Sequence, residues 1–348
     1  MKKRTTIVFL AIFASLVIFF LLNLALGSVS IPFADVWDIL WGNNSEHTNE
    51  IWRNIIFKSR FPQTITAIFA GAGLSISGLQ MQTVFRNPLA GPSELGISSG
   101  ASLGVASVLL LSGSIAGATL QNAGFMGELA ISSAAIIGSL VVMAIIITIS
   151  QYVKGNVTLL IIGVMIGYIA TAIIGVLKFF STEEDVKGYV IWGLGSFAKV
   201  SGGNILPFVI AMSVLIPLSF LLIKRLNLML LGEQYAASLG LDVRKSRMYI
   251  IISACVLTAI VTAYCGPIVF LGLAVPHLCR TLFATSDHRV LVPAVTLTGS
   301  LLAMICNIVA RMPGMEGALP INSVTALIGA PIVISVLFGK RKKEANYE

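Results

Sequence analysis

Nine stretches of this chain contain no charged residue and are long and apolar enough to form membrane-spanning helices. They are residues 7–26, 61–85, 95–127, 129–153, 155–177, 200–223, 248–279, 290–310 and 317–339. A helix needs about 20 predominantly apolar residues to cross the hydrocarbon core, so most of these stretches predict one span each. Only 11% of the residues are charged, whereas soluble domains have about 25%. The pattern predicts an all-α polytopic membrane protein.

Two of the stretches are too long for a single span. Residues 95–127 contain no proline, and their second half is rich in small and polar residues, which predicts one span followed by an uncharged linker. Residues 248–279 are apolar throughout but contain Gly266-Pro267 beyond their midpoint. This break predicts one helix that crosses the membrane and a short or discontinuous helix that returns. We therefore expect ten spans in a single domain of residues 1–348.

The distribution of basic residues predicts that both termini are cytoplasmic. With the N-terminus inside, the inside segments carry 16 of the 23 Lys and Arg residues and the outside segments carry 7. Such an excess is typical of cytoplasmic loops. The net charge of +8 is therefore interpreted as a topology signal, and we expect no nucleic-acid partner. Residues 224–247 then form a cytoplasmic segment between spans six and seven.

The acidic residues and the missing nucleotide motif limit the classes of function. All 15 Asp and Glu residues are predicted to lie in loops or at span ends, with Glu94 and Glu128 nearest to membrane depth. Ion-driven carriers usually need an acidic residue within a span, so the pattern disfavours them. The chain has no GxxxxGKS or GxxxxGKT phosphate-binding loop. We expect a protein that is not an enzyme and holds no cofactor or metal, and any energy that it uses must come from a partner.

Residues 224–247 are the longest polar interruption in the C-terminal half of the chain. Within them, residues 231–241 predict a short helix bracketed by two glycines. Ala236 and Leu239 are placed on one side of this helix, with Glu233 nearer the other. The apolar side needs a cover, which could be the membrane surface, the protein's own helix ends or a partner protein.

Residues 87–101 read NPLAGPSELGISSGA, and their two prolines and three glycines interrupt the helical pattern between spans two and three. The segment resembles the NPLA-x-P-x-x-LG-x-S-x-GA signature of the FecCD family. These proteins are the permease subunits of type II ATP-binding-cassette (ABC) importers for iron–siderophore, haem and cobalamin. Further segments that resemble the family follow in the expected order: residues 71–82, 192–197, 232–244, 272–280 and 319–331.

The resemblance covers nearly the whole chain and implies the type II ABC importer permease fold. That fold has ten transmembrane helices per subunit, with an inverted repeat that relates spans two to five to spans seven to ten. The implied partners are a second copy of the chain, two ATPase subunits that bind ATP and Mg²⁺, an extracytoplasmic substrate-binding protein and membrane lipid. The implied location is the bacterial inner membrane, and the cargo would be an iron chelate or cobalamin. A self-sufficient secondary carrier or channel is the alternative.

The resemblance also assigns three groups of residues. The ATPase-coupling group is Gly232, Glu233, Ala236, Leu239 and Gly240. The gate group is Asn87, Leu89, Ser150 and Gln151, for which the alternative is turns that merely join helices. The group expected to receive the binding protein is Arg60 and Arg311, for which the alternative is interfacial anchoring. Gln63 stands where the family often has a second arginine, so this contact would be weaker here or shared with Arg53 or Lys58.

The topology can be tested with single cysteines in a background that lacks the four native ones. A cysteine at Glu46 or Glu184 is expected to react with an impermeant thiol reagent in intact cells, because both positions are predicted to face outside. A cysteine at Gln234 is expected to react only after the cells are opened. Labelling of Gln234 in intact cells together with protection of Glu184 would reverse the orientation.

Overall fold

A computed structural model describes residues 2–41, 50–111, 125–153, 156–312 and 317–344. The described residues form fifteen α-helices and contain no β-strand. The helices are α1 (Lys2–Ala25), α2 (Phe33–Trp41), α3 (Glu50–Ile55), α4 (Phe61–Phe85), α5 (Ile97–Leu111), α6 (Phe125–Ser150), α7 (Asn156–Phe179), α8 (Glu183–Gly193), α9 (Ile205–Phe220), α10 (Ile223–Leu230), α11 (Glu233–Ser238), α12 (Val243–Cys265), α13 (Leu271–Phe283), α14 (His288–Ala310) and α15 (Ile321–Glu344).

Ten of these helices account for the predicted spans. In the described part of the chain, seven helices are long and apolar enough to cross a membrane: α1, α4, α6, α7, α9, α12 and α14. Three shorter apolar helices complete the set, namely α5, α13 and residues 321–335 of α15. The predicted break at Gly266-Pro267 separates α12 from α13. The linker predicted after span three falls mainly on residues 112–124, outside the described residues.

The packing defines two faces of the bundle. Helices α4 and α12 run antiparallel, since Ser77 in α4 bonds to Thr258 in α12 at 2.8 Å and Gln80, one turn later in α4, bonds to Ser253, earlier in α12, at 3.1 Å. One face is where α1 begins, α4 ends and α12 begins, and we call it the terminal face. There the ring of Phe9 packs on that of Phe283 at the end of α13, with centroids 4.7 Å apart. At the opposite face α1 ends, α4 begins and α14 ends.

Helix α4 is the centre of the bundle. In its most apolar 18-residue window 83% of the residues are buried, against 17% in α1 and 22% in α7. Several of its polar side chains have partners on neighbouring helices; the Ser77 hydroxyl, for example, also donates to the Ala254 carbonyl at 2.8 Å. Such pairing is required because the hydrocarbon core supplies no water to polar groups. Helices α1 and α7 therefore lie at the edges.

Glycines let the neighbouring helices approach α4 at backbone distance. A methyl group added at Gly78 would lie 1.8 Å from the carbonyl oxygen of Gly272 in α13. One added at Gly71 would lie 2.2 Å from the carbonyl oxygen of Gly299 in α14. Small residues at such crossings are typical of membrane helices, whose association depends on close packing because lipid is as apolar as their side chains.

Two broken segments meet inside the bundle. One leads from α4 through Gly91 to α5, and the other leads from α12 through Val269 to α13. Both line one small gap beside Leu74, which lies near the middle of α4. Helices α5 and α13 are short because they begin within the protein rather than at its surface. This correspondence between the two halves is what an inverted repeat requires, and non-helical backbone is tolerated at membrane depth only where protein covers it.

Glu94 lies deeper than the sequence predicted. It belongs to the first broken segment, in a single 3-10 turn that packs against Gly163, the eighth residue of α7. Its Oε2 atom is buried and has no hydrogen-bond partner among the described residues. Glu94 does lie in a loop between two spans, as expected, but that loop folds back into the bundle. A re-entrant loop places a carboxyl group inside the bundle without interrupting an apolar run, so uncharged spans alone do not disfavour an ion-driven carrier.

Replacement of Gly78 by alanine is expected to destabilise the bundle. The added methyl would meet backbone rather than a flexible side chain, so the cost should reach or exceed about 3 kcal/mol, the upper end of ordinary overpacking. Gly193→Ala is the matched control, because no atom lies within 4 Å of its added methyl group. Thermal unfolding of the purified protein in detergent measures both. Equal unfolding temperatures for the two variants would mean that the α4–α13 contact is not tight.

Candidate coupling and gate sites

The polar segment between α9 and α12 contains two helices rather than one. The predicted helix at residues 231–241 is limited to α11, and the longer helix of the segment is α10. Gly232 and Gly240 do bracket α11, with φ angles of +111° and +82° that favour glycine. The predicted helix was too long, because the two glycine-containing turns that flank the six residues of α11 were counted as helical.

Helix α11 presents a side different from the predicted one. Ala236 is fully buried, whereas Leu239 is 61% exposed. The two residues therefore lie on different sides of the helix, and Ala236 fixes it to the bundle. Leu239 is joined at four-residue spacing by Tyr235 and Leu231, which are 72% and 58% exposed. We call these three residues the exposed stripe: Tyr235 lies in α11, and Leu231 and Leu239 lie just before and just after it. Tyr235 and Leu231 were not predicted as coupling residues.

Three sets of contacts hold the segment against the bundle. Arg247 in α12 forms an ion pair with Glu233, the first residue of α11. Arg86, at the end of α4, donates from Nη2 to the carbonyl oxygen of Met229 at 3.3 Å. The same Nη2 would lie 2.8 Å from a methyl group added at Gly232. Gly232 is therefore required by its backbone angle and by the close approach of Arg86.

The third set lies at the junction of α10 with α14. The Asn227 side chain accepts from the backbone N–H of His288 at 2.8 Å and donates to Asp287 at 2.7 Å. The imidazole ring of His288 bridges Asn227 and Thr83 of α4, at 2.8 Å from each. The backbone N–H of Arg289 and the Asn227 amide hold the pKa of the Asp287 carboxyl below its usual value. Asp287 is therefore an ionised cap of α14.

The predicted gate residues lie in two turns on the terminal face. The Asn87 carboxamide accepts from the backbone N–H of Leu89 at 2.9 Å, and the Leu89 side chain is 45% exposed. Ser150 ends α6 by donating to the carbonyl of Ile147 at 2.7 Å. Gln151 follows, and its Oε1 accepts from Arg244 at 3.1 Å. We call these the Asn87 turn and the Ser150 turn.

A cavity joins the Ser150 turn to residues 224–247, which we call the coupling segment. It has a volume of about 610 Å³. Its lining includes Ser150 and Gln151 on one side and Glu233, Arg244 and Arg247 on the other. The structure therefore brings two predicted gate residues and one predicted coupling residue to the same space, which spacing along the chain does not reveal.

Arg60 and Arg311 lie together on the opposite face and hold the end of α1. Arg60 is only 3% exposed and donates from Nη1 to the carbonyls of Leu24 and Ala25, both at 2.7 Å. Arg311 donates to Asn23 Oδ1 at 2.9 Å. The last carbonyls of a helix lack intrahelical partners and carry partial negative charge, so these arginines satisfy them. This capping role was not predicted.

The same two arginines line a cavity of about 330 Å³ together with Gln63, Gly317 and Ala318. Within the part of the chain that the structure describes, no Asp or Glu forms an ion pair with either arginine. The buried Oε1 of Gln63 has no hydrogen-bond partner there either. The opposite face thus carries a positively charged cavity, and the hydrogen-bond partners of its arginines among the described residues are neutral.

Comparison with known proteins agrees with this architecture. The model of the FecCD transport family matches residues 15–339. The hemin transport system permease protein HmuU of Yersinia pestis is 32% identical over 95% of each chain. The vitamin B12 import system permease protein BtuC of Citrobacter koseri is 33% identical over 82% of this chain and 84% of its own.

A solved structure of a metal-chelate type ABC transporter in an inward-facing conformation superposes with a TM-score of 0.81. It is 27% identical and covers 95% of this chain and 99% of its own. The chain therefore belongs to the FecCD transport family and is a multi-pass membrane permease.

Proposed function

We propose that two copies of this chain form the translocation pathway of an ABC importer. Two ATPase subunits would bind the terminal face, which is then cytoplasmic, and a substrate-binding protein would bind the opposite face. The observation that carries the proposal is the exposed stripe of Leu231, Tyr235 and Leu239 on and beside α11, near the predicted gate turns. A large apolar side chain and a tyrosine that protrude from a polar segment favour a protein partner.

The separation of functions between subunits follows from the chain's own chemistry. The sequence contains no phosphate-binding loop, so ATP hydrolysis on a separate subunit would supply the energy for uphill transport. The basic residues concentrate on the segments of the terminal face, which supports a cytoplasmic location for it. ATP binding and hydrolysis would then move the spans as rigid bodies and alternate the access of the pathway.

Helix α7 supports the proposal of a second copy. Only 22% of its most apolar window is buried, and its exposed side includes Tyr168 at 66% and Ile169 at 60%. Tyr168 is the thirteenth residue of the helix and thus lies near the middle of the membrane. Tyrosine is enriched at membrane interfaces rather than at this depth, so a polar pathway between two subunits suits it better than lipid.

The proposed substrate class rests on the relatives, which are named for hemin and vitamin B12, and on the similar solved structure, which is described as a metal-chelate type transporter. We propose that the cargo is a bulky chelate of this kind: an iron–siderophore, haem or cobalamin. Uptake of haem, cyanocobalamin and a ferric hydroxamate by cells that express the complete transporter distinguishes the three. Failure to accumulate any of the three chelates would contradict the substrate class.

Replacing Tyr235 and Leu239 together by glutamate is expected to weaken binding of the ATPase subunit at least tenfold, about 1.4 kcal/mol. The two charges would enter the apolar contact proposed for the exposed stripe, so uptake should be lost as well. Co-purification with the ATPase subunit and ATP hydrolysis by the reconstituted complex measure the effect.

Gln234→Glu is the matched control, since it adds a charge on the same helix beside the stripe and glutamate is common there in the family. It is expected to retain both binding and uptake. Ala236→Arg would unseat α11 and is a poorer test, because Ala236 is buried. Full ATPase binding by the doubly substituted protein would remove the stripe from the interface.

Arg311 tests the docking of the binding protein. Arg311→Gln retains hydrogen-bond donors for Asn23 but removes the positive charge from the 330 Å³ cavity. It should slow association with the binding protein several-fold at low salt and flatten the salt dependence, because interface charges act mainly on the association rate. Arg311→Lys keeps the charge and should associate normally.

Equal slowing in the glutamine and lysine variants would assign Arg311 to the support of α1 alone. Unchanged association in both variants would also contradict a docking role. Basal ATP hydrolysis serves as the internal control, since the opposite face is remote from α11.

A further inference from the structure

Three arginines connect α11, the start of α12 and the two gate turns to one another, and none of them was predicted to have a role. They are Arg86 at the end of α4, and Arg244 and Arg247 in the first turns of α12. Each forms one contact that bridges two of these parts. The contacts form a series. Arg247 connects α11 to the start of α12, Arg244 connects the start of α12 to the Ser150 turn, and Arg86 connects the coupling segment to the Asn87 turn.

Arg247 attaches α11 to α12. Its residue exposure is 9%, so its guanidinium is largely removed from water. Glu233 is its ion-pair partner, and its Nε has no hydrogen-bond partner among the described residues. A buried charge that depends on one carboxylate resists separation from it, because the unpaired charge would be left in a poorly hydrated site. Helix α11 and the start of α12 should therefore move together.

Arg244 attaches the start of α12 to the Ser150 turn. It precedes Arg247 by three residues, so both side chains lie on one side of α12. Its Nη2 donates to Gln151 Oε1 at 3.1 Å across an exposed contact. The 610 Å³ cavity beneath this contact leaves the turn room to change position. A shift of α12 would therefore pull on the turn instead of being blocked by packed side chains.

Arg86 makes the corresponding contact to the Asn87 turn. It immediately precedes Asn87 and adopts a left-handed conformation with φ +49°. Its guanidinium lies against Gly232 and donates to the carbonyl of Met229, where α10 passes into α11. The residue that ends α4 and begins the turn is thus held by the coupling segment. Displacement of that segment changes the support of the Asn87 turn directly.

We infer that Arg86, Arg244 and Arg247 are positioning residues that transmit displacement of α11 to both gate turns. The inference rests on the proposed function and deepens it by naming the contacts through which one displacement reaches two turns. Arg247 makes α11 and α12 one moving part. Arg244 and Arg86 then carry the movement to the Ser150 turn and the Asn87 turn.

The test measures the gate directly. The complete transporter is prepared with Cys255, Cys265, Cys279 and Cys306 replaced and with Leu89→Cys carrying a spin label. Pulsed electron paramagnetic resonance gives the distance between the two labels, without nucleotide and with ATP plus vanadate. The unsubstituted arginines are expected to give a nucleotide-dependent change of several ångström, on the scale of helix shifts in switching proteins.

Arg247→Gln, Arg244→Gln and Arg86→Gln are each expected to reduce this change by at least half while ATPase binding and ATP hydrolysis persist. Lys245→Gln is the matched control, since Lys245 lies in the same turn of α12 but is highly exposed and pairs with Asp242 at 3.2 Å. It should leave the change intact. Restoration by Glu233→Arg combined with Arg247→Glu, but not by either alone, would assign the loss to the ion pair itself rather than to the removal of either side chain.

The outcomes separate the inference from the proposed function. A normal distance change in all three glutamine variants overturns the linkage and leaves the permease function intact. An equal loss in the Lys245→Gln control also overturns it, since general damage to α12 would then be the cause. Failure of the unsubstituted chain to bind an ATPase subunit overturns the proposed function, and a bound complex without any nucleotide-dependent change removes the movement that the arginines are inferred to transmit.

Discussion

The close contact between the backbones of α4 and its neighbours is the feature on which the rest of the structure depends. Lipid gives membrane helices no hydrophobic reason to associate, so packing and polar pairing have to supply the attraction. Gly78 against Gly272 and Gly71 against Gly299 bring the helix axes close enough for both. Once α4 is enclosed in this way, the two broken segments can lie inside the bundle, because protein rather than lipid surrounds their backbone.

The two faces of the bundle differ in how their charges are compensated. On the terminal face, arginines are paired with glutamate, glutamine or a carbonyl that belongs to another structural unit. On the opposite face, Arg60 and Arg311 contact neutral groups at the end of α1. The first arrangement lets a displacement of one structural unit reach the next, because a single arginine side chain connects them. The second suits a fixed support that retains charge for an external partner.

Hydropathy and charge predicted the spans and the break at Gly266-Pro267, because crossing a membrane restricts composition over long stretches. Residue patterns predicted the structure of short segments less accurately. Six residues of α11 contain fewer than two turns, so the buried side of Ala236 could not be distinguished from the exposed side of Tyr235. Glu94 was placed too near the surface, since a loop that folds back into the bundle leaves no periodic signal. The roles of Arg60, Arg244 and Arg247 depend on partners distant in the chain, which a single sequence does not pair.

Asn23 also has a consequence for the order in which the protein assembles. It lies near the end of the first helix to be synthesised, and its side-chain oxygen is bonded by Asn307 at 2.9 Å and by Arg311 at 2.9 Å. Both partners are made more than 280 residues later along the chain. During synthesis this amide oxygen has to remain at the interface with water, because an unpaired polar group in hydrocarbon is costly. Docking of α1 is therefore a late event, completed only when the ninth span has entered the membrane.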